Sequence, residues 1–182
     1  MAEVDRGADL SRESARLMHQ VAAGSHEAFE RLYHTWAPVV LRYLAARGVS
    51  AAAAADIVQE TFLAAWRQAA SYREEAPLAT WLFGIARHKR TDWVRQHPPP
   101  VEPDPSREPQ TTADPTYEAV EARTVLGRLT ADERELVFLV FVSGLSYEEV
   151  ARVLEIPVGT VKSRVFRLRH TLKARTAEVE VR

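Results

Sequence analysis

Residues 145–173 read LSYEEVARVLEIPVGTVKSRVFRLRHTLK, and two helices are already visible in them. Ser146 followed three residues later by Glu149 is a capping box, which starts a helix at Tyr147 and carries it to about Leu154. Glu155-Ile156-Pro157 is the joint. A second helix begins near Val158 and runs to about Lys173. Two short helices on so tight a joint make a helix-turn-helix pattern. In the second helix Val158, Val161, Val165, Leu168 and Leu172 recur at helical spacing, a stripe that faces a core. The opposite face carries Gly159, Thr160, Ser163, Phe166, Arg167 and His170, flanked by Lys162, Arg164 and Arg169.

That polar face has the chemistry of a DNA-reading helix. Arginine bonds a guanine edge in two places, and serine or threonine bonds either donors or acceptors. Flanking Lys and Arg neutralise phosphates. From Ile156 to Ala177 there is no acid and there are six Lys or Arg; from Glu102 to Glu135 nine acids oppose four Arg. The whole chain nevertheless has 24 Lys plus Arg against 25 Asp plus Glu, a net charge of −1. A uniformly basic coat is thereby excluded, and the basic surface is local. A solvated surface helix is the plainer alternative, as is packing against a neighbour for Phe166.

Working upstream, Thr130 and Glu133 form another capping box, starting a helix over about 131–142, with Gly144 placed as a left-handed terminator. Seven of the ten prolines lie between Pro98 and Pro115, where Val101 is the only large aliphatic residue. Such a segment reads as a semi-extended linker. The expected organisation is a helical module over 10–97, a proline-rich flexible linker over 98–115, and a helix-turn-helix module over 116–177. In the first module, Leu10–Ala22 is a short amphipathic stretch ended by Gly24. Ser25 caps a helix carrying Phe29, Leu32, Tyr33, Trp36, Val40, Tyr43 and Leu44, and Ser50 caps another reaching Ala70. Pro77 is expected at the first position of a helix over Leu78–Gln96. No stretch alternates with the period of a half-buried strand, so the fold class is all-α.

Two faces of the first module stand out. On the Ser50-capped helix, Asp56, Gln59, Glu60, Leu63 and Arg67 share one side, opposite Ile57, Val58, Thr61, Phe62 and Ala65. A leucine ringed by acids and an amide suggests a protein-docking patch, against the plainer reading of a solvated face with an incidental leucine. Between Ser71 and His97, Tyr72, Trp81, Phe83 and Trp93 interleave with Arg73, Arg87, His88, Lys89, Arg90 and Arg95. Aromatics among cations grip unpaired nucleic acid. Trp81 is expected mostly in the core, whereas the run Arg87-His88-Lys89-Arg90 is expected to face outward.

Other classes lose ground. With no cysteine there is no disulfide, thiolate zinc site or cysteine nucleophile. No apolar run approaches the roughly 20 residues of a membrane span, and Met1–Asp9 lacks a signal-peptide core, so a cytoplasmic protein without membrane insertion is expected. Glu30 and His34 could be half a metal site, but no second pair matches them, and an intrahelical polar pair is the better reading. There is no phosphate-cradling glycine loop and no nucleophile with its base. The expectation is a protein that is not an enzyme and uses no cofactor.

These residues resemble a known family. Asp56-Ile57-Val58-Gln59-Glu60-Thr61-Phe62-Leu63-Ala64-Ala65-Trp66 is similar to the polymerase-binding segment of bacterial sigma factors, and Trp81-Leu82-Phe83-Gly84-Ile85-Ala86-Arg87 to the adjoining promoter-melting segment. Leu145–Ala151 with Ile156–Arg164 resembles their C-terminal helix-turn-helix. Together they resemble the extracytoplasmic-function (ECF) subgroup of the sigma-70 family, which keeps conserved regions two and four joined by a linker.

The resemblance implies that Asp56, Gln59, Glu60 and Leu63 contact the clamp helices of the largest subunit of core RNA polymerase. It implies that Tyr72, Arg73, Arg87, His88, Lys89 and Arg90 serve the −10 element, with residues 72–77 and His88 bordering a pocket for a flipped base. Thr160, Lys162, Ser163, Arg164, Phe166, Arg167 and His170 would serve the −35 element of promoter DNA. An anti-sigma factor is a further implied partner. Leu78, Gly84, His88 and Glu155 depart from residues frequent in the family, where an aromatic, a larger residue, Asn and Gly are common, and His88 bears on the preferred −10 base. Two other readings compete: a sigma-like decoy that titrates an anti-sigma factor, and a LuxR-type helix-turn-helix regulator.

Overall fold

The computed structural model of the protein describes residues 13–98 and 127–180, with side chains as far as Lys173. The described residues are helical, with no strand among them. In chain order they form α1 (13–22), α2 (His26–Ala46), α3 (Ala51–Arg67), α4 (Leu78–Gln96), α5 (Ala131–Val137), α6 (Tyr147–Leu154) and α7 (Val158–Glu180). The proline-rich segment lies outside the described residues except for Pro98.

The caps read from sequence set the helix starts. The Ser25 hydroxyl accepts from the Ala28 amide at 3.2 Å and Ser50 from Ala53 at 3.4 Å. Both capping boxes are complete: the Thr130 and Ser146 hydroxyls each accept from the amide three residues on, and Glu133 and Glu149 reach back to the cap amides at 2.8 and 2.7 Å. Gly24, Gly48 and Gly144 take positive φ at helix ends. Two details differ from expectation, the start of α4 and the end of the helix over 131–142. Pro77 is the cap residue before α4 and not its first helical position. Helix α2 runs through Pro38, whose ring deletes one backbone rung at a cost of about 3 kcal/mol. Burial of Trp36, Ala37, Val40, Tyr43 and Leu44 around it offsets that loss. The helix expected over 131–142 widens after Val137 into a turn in which Ser143 bonds back to Phe138, five residues earlier.

Helices α2, α3 and α4 pack on one another, with Leu32, Val40, Leu44, Ile57, Phe62, Leu82 and Phe83 buried between them. Helix α4 also packs against α6, and α2 against α5. Tyr43, Phe83 and Phe138 form a ring triangle with centroids 5.0, 5.9 and 5.8 Å apart, so one apolar core spans both halves of the chain. The Arg134 guanidinium fastens the join, donating to the carbonyl of Ala46 at the end of α2 (3.0 Å) and to that of Leu129 (2.7 Å).

Candidate functional site

Helix α7 buries Val161, Val165 and Leu168 and leaves Lys162, Ser163, Arg164, Phe166, Arg167, Arg169 and His170 exposed. The stripe and the polar face therefore lie as the spacing predicts, with Thr160 half-buried at the edge. Phe166 is 64% exposed, which removes the alternative that it packs on a neighbouring helix; its ring lies 4.9 Å from that of His170. The Ser163 hydroxyl donates to the Gly159 carbonyl at 2.9 Å. A helix-turn-helix places such a face in a DNA groove.

The same division holds on α3. Ile57, Val58, Thr61, Phe62 and Ala65 are buried, while Asp56, Gln59, Glu60 and Leu63 are exposed, Leu63 by 40%. The Glu60 carboxylate lies 3.4 Å from Lys89 Nζ, so the two faces of the first half adjoin.

Between the turn after α3 and α4 lies an open cleft of about 480 Å³ bordered by Tyr72, Arg73, Glu74, Thr80, Trp81 and His88. The Tyr72 hydroxyl donates to the Ala76 carbonyl at 3.1 Å, and its ring lies 5.5 Å from that of Trp81. Burial, then the nearby Glu74 carboxylate, raises the Tyr72 phenol above its ordinary pKa, so it stays a neutral donor. Trp81 is half-buried and lines the cleft, more exposed than expected for core. A Cβ at Gly84 would meet nothing within 4 Å, so the small residue here widens the cleft floor. Two lining residues carry no sequence signal. Thr80 is buried in α4 with its Oγ1 unpaired among the described residues. Arg152 reaches over from α6 and donates to the Glu75 carbonyl at 2.7 Å.

The run Arg87–Arg90 departs from expectation. Only His88 is exposed; Arg87, Lys89 and Arg90 are half-buried. Helix α6 packs against α4, and Lys89 pairs with Glu60 of α3. Arg87 Nη1 lies 3.0 Å and His88 Nε2 3.2 Å from the carboxylate of Glu155. Glu155 ends α6 in the left-handed conformation (φ 55°, ψ 44°), which costs a non-glycine residue about 1–2 kcal/mol. Deeper in, the Tyr43 hydroxyl donates to Glu135 Oε1 at 2.5 Å, while Arg47 pairs with Glu135 Oε2 at 3.0 Å and with Asp132. Burial, reinforced by the Glu135 charge, pushes the Tyr43 phenol well above its usual range. The hydrogen bond from Arg47 holds the Asp132 carboxyl below its usual range. Burial, with Arg47 alongside, lowers Arg90.

Known proteins match both halves. The family described as sigma-70 region 2 matches residues 32–98, and sigma-70 region 4 matches residues 119–172. The ECF RNA polymerase sigma-E factor of Escherichia coli (strain K12) is 30% identical over 177 residues, covering 86% of this chain and 90% of that protein. The ECF RNA polymerase sigma factor SigC of Mycobacterium tuberculosis (strain CDC 1551 / Oshkosh) is 33% identical over 159 residues, covering 84% and 85%. Among solved structures, CnrH in complex with the cytosolic domain of CnrY is similar at a TM-score of 0.65 and 28% identity, covering 89% of this chain and 96% of that one. The sigma factor RpoE of Bartonella quintana, solved with the anti-sigma factor NepR, is similar at 0.59 and 27%, covering 82% and 96%.

Proposed function

The chain belongs to the sigma-70 family, in its extracytoplasmic-function group, and from that membership we propose that it docks on core RNA polymerase through α3 and selects promoters by contacts at two elements. Asp56, Gln59, Glu60 and Leu63 form the docking patch on the polymerase largest subunit. Lys162, Ser163, Phe166 and Arg167 read the −35 element, with Thr160, Arg164 and His170 beside them. The cleft beside α4 takes a base of the −10 element, and Arg73, Arg87, His88, Lys89 and Arg90 hold the strand as the duplex opens. The proline-rich segment 98–115 links a module over 10–97 to one over 116–177. The protein works in the cytoplasm; no helix among the described residues is long and apolar enough to cross a membrane. An anti-sigma factor is its regulator; RpoE of Bartonella quintana is solved in complex with one, NepR. The bond chemistry belongs to the polymerase.

The observation that carries this reading is the exposed face of α7 over residues 158–173, free of acids and laid over a buried valine and leucine stripe. A decoy has no use for intact reading residues, and a helical first half is not the ligand or phosphoacceptor domain of a LuxR-type regulator.

Purified protein should bind core RNA polymerase one to one in an anisotropy titration. Asp56→Ala together with Leu63→Ala should weaken that binding by about tenfold or more, since a central apolar anchor and a rim charge are lost together. Unchanged binding by the double variant removes α3 as the docking face. Binding of the free protein to duplex promoter DNA should fall as salt rises, with a log–log slope of about −2 to −4 if the exposed cations of α7 meet phosphates. A flat response would place that face elsewhere.

A further inference from the structure

We infer that His19 of α1 is a positioning residue for the base-binding cleft, holding the loop between α3 and α4 in shape through Glu74. The inference rests on the assignment of that cleft under the proposed function. Three observations carry it. First, the tip of the loop is not held by its own backbone: among the described residues, no backbone-to-backbone hydrogen bond reaches residues 73–75. Side chains hold it instead. The Tyr72 hydroxyl donates to the Ala76 carbonyl, Arg152 to the Glu75 carbonyl, and His19 Nε2 meets Glu74 Oε1. A carboxylate only accepts, so Nε2 carries the proton in this pair. Second, Glu74 stands in the left-handed region at φ 56°, which disfavours a residue with a β-carbon by about fivefold or more. The contact its side chain makes from there is with His19, 55 residues earlier in the chain. Third, His19 has a fixed support. Leu17, Met18 and Val21 of α1 are buried, and the Trp36 indole donates to Ser14 at 3.2 Å, while His19 itself is exposed. An anchored helix therefore reaches the one residue of the cleft border whose backbone needs holding.

Without the strap, Glu74 returns to negative φ and the border of the cleft changes shape. The base is then taken only by the fraction of chains whose loop is in place. Its apparent dissociation constant is the intrinsic one divided by that fraction. An exposed pair shifts such a fraction by no more than about fivefold. The expected defect is therefore modest, and it is confined to the step in which the −10 base leaves the duplex. Polymerase docking through α3 and −35 reading through α7 use other residues.

Promoter opening by the holoenzyme tests the strap. The probe is a promoter duplex selected from a library by the unmodified holoenzyme, with 2-aminopurine in its −10 element. His19→Ala should lower the opening equilibrium about two- to fivefold, with polymerase affinity unchanged. His19→Gln keeps an N–H donor for Glu74 and should recover most of that loss. Glu74→Ala keeps the backbone strain and loses the strap, so it should lose as much as His19→Ala. Glu74→Gly adopts the left-handed region without strain and should lose less. His19→Ala added to Glu74→Ala should bring no further loss, because the two act as one unit. Thermal unfolding by circular dichroism checks that each variant is folded. Parental opening by His19→Ala overturns the inference. A loss that His19→Gln does not recover, or that adds fully to the loss in Glu74→Ala, gives His19 a role other than holding Glu74 and overturns it too. Gly84→Leu separates this from the cleft assignment, since it fills the cleft floor from α4. If Gly84→Leu opens the promoter normally, the cleft assignment fails and takes the inference with it. If Gly84→Leu blocks opening while His19→Ala changes nothing, the inference alone fails.

Discussion

Glu135→Ala is expected to remove about 3–5 kcal/mol from the free energy holding the two halves together, because it strips the counterion from a buried cation. Glu135 is 5% exposed and sits between the Tyr43 hydroxyl and Arg47. Its loss orphans the phenol of a residue that is 0% exposed, and leaves Arg47 with Asp132, whose own side chain is 75% exposed. A solvated partner replaces little of a buried one. Glu135→Gln keeps an acceptor for the Tyr43 hydroxyl but still removes the counterion of Arg47, so it should recover only the hydrogen bond, about 1 kcal/mol of the loss. If separating the halves costs less than the penalty, the alanine variant opens, and the measured loss is capped at the free energy of closing. In a urea titration, the alanine variant should therefore show either a midpoint shift of that size or two transitions in place of one. In a thermal scan, 3 kcal/mol amounts to about 6–12 °C for a chain of this length. An alanine variant as stable and as cooperative as the parent would mean that the Tyr43–Glu135–Arg47 cluster is not what joins the halves.

Local chemistry was legible in the sequence, and long-range pairing was not. Serine or threonine caps, capping boxes and glycine terminators act within four residues, so Ser25, Ser50, Thr130, Ser146 and the glycines at 24 and 144 could be read one by one. The stripes on α3 and α7 followed from helical periodicity for the same reason. The Arg87–Arg90 run shows where this stops. Four consecutive polar residues point outward by any local rule, yet Arg87, Lys89 and Arg90 are half-buried, and the partners of the first two, Glu155 and Glu60, come from elsewhere in the chain. Thr80 and Arg152 escaped notice for the same reason: neither has a pattern around it, and only packing brings them to one cleft. Glu155 is the intermediate case. Its departure from glycine is visible in the sequence, but the contact it makes, a carboxylate 3.0 Å from Arg87, exists only in the folded chain.

Arg167→Ala should lower transcription from the protein's own promoters by roughly 10- to 100-fold, the effect of losing a bidentate base contact worth about 1–3 kcal/mol. Arg167 lies on the exposed face of α7, with the buried Val165 and Leu168 on the other side of the helix. Its side chain is exposed, so truncating it should change stability by no more than about 0.5 kcal/mol. Lys is not an equivalent replacement: its single ammonium cannot span two acceptors of one guanine, so Arg167→Lys should recover phosphate attraction and only part of the discrimination. The comparison with Lys162→Ala is the informative one. Loss of a phosphate contact weakens all sequences about equally and makes the salt slope shallower by about one, whereas loss of a base contact flattens preference at one position. Run-off transcription across a library of −35 sequences, with polymerase binding followed in parallel, separates the two. Relaxed preference at one base position, with polymerase affinity unchanged, is the expected result for Arg167→Ala. A uniform loss over all sequences would make Arg167 a phosphate contact and move the reading role to Ser163, Phe166 or His170. A fall in polymerase binding equal to the fall in transcription would detach α7 from promoter reading altogether.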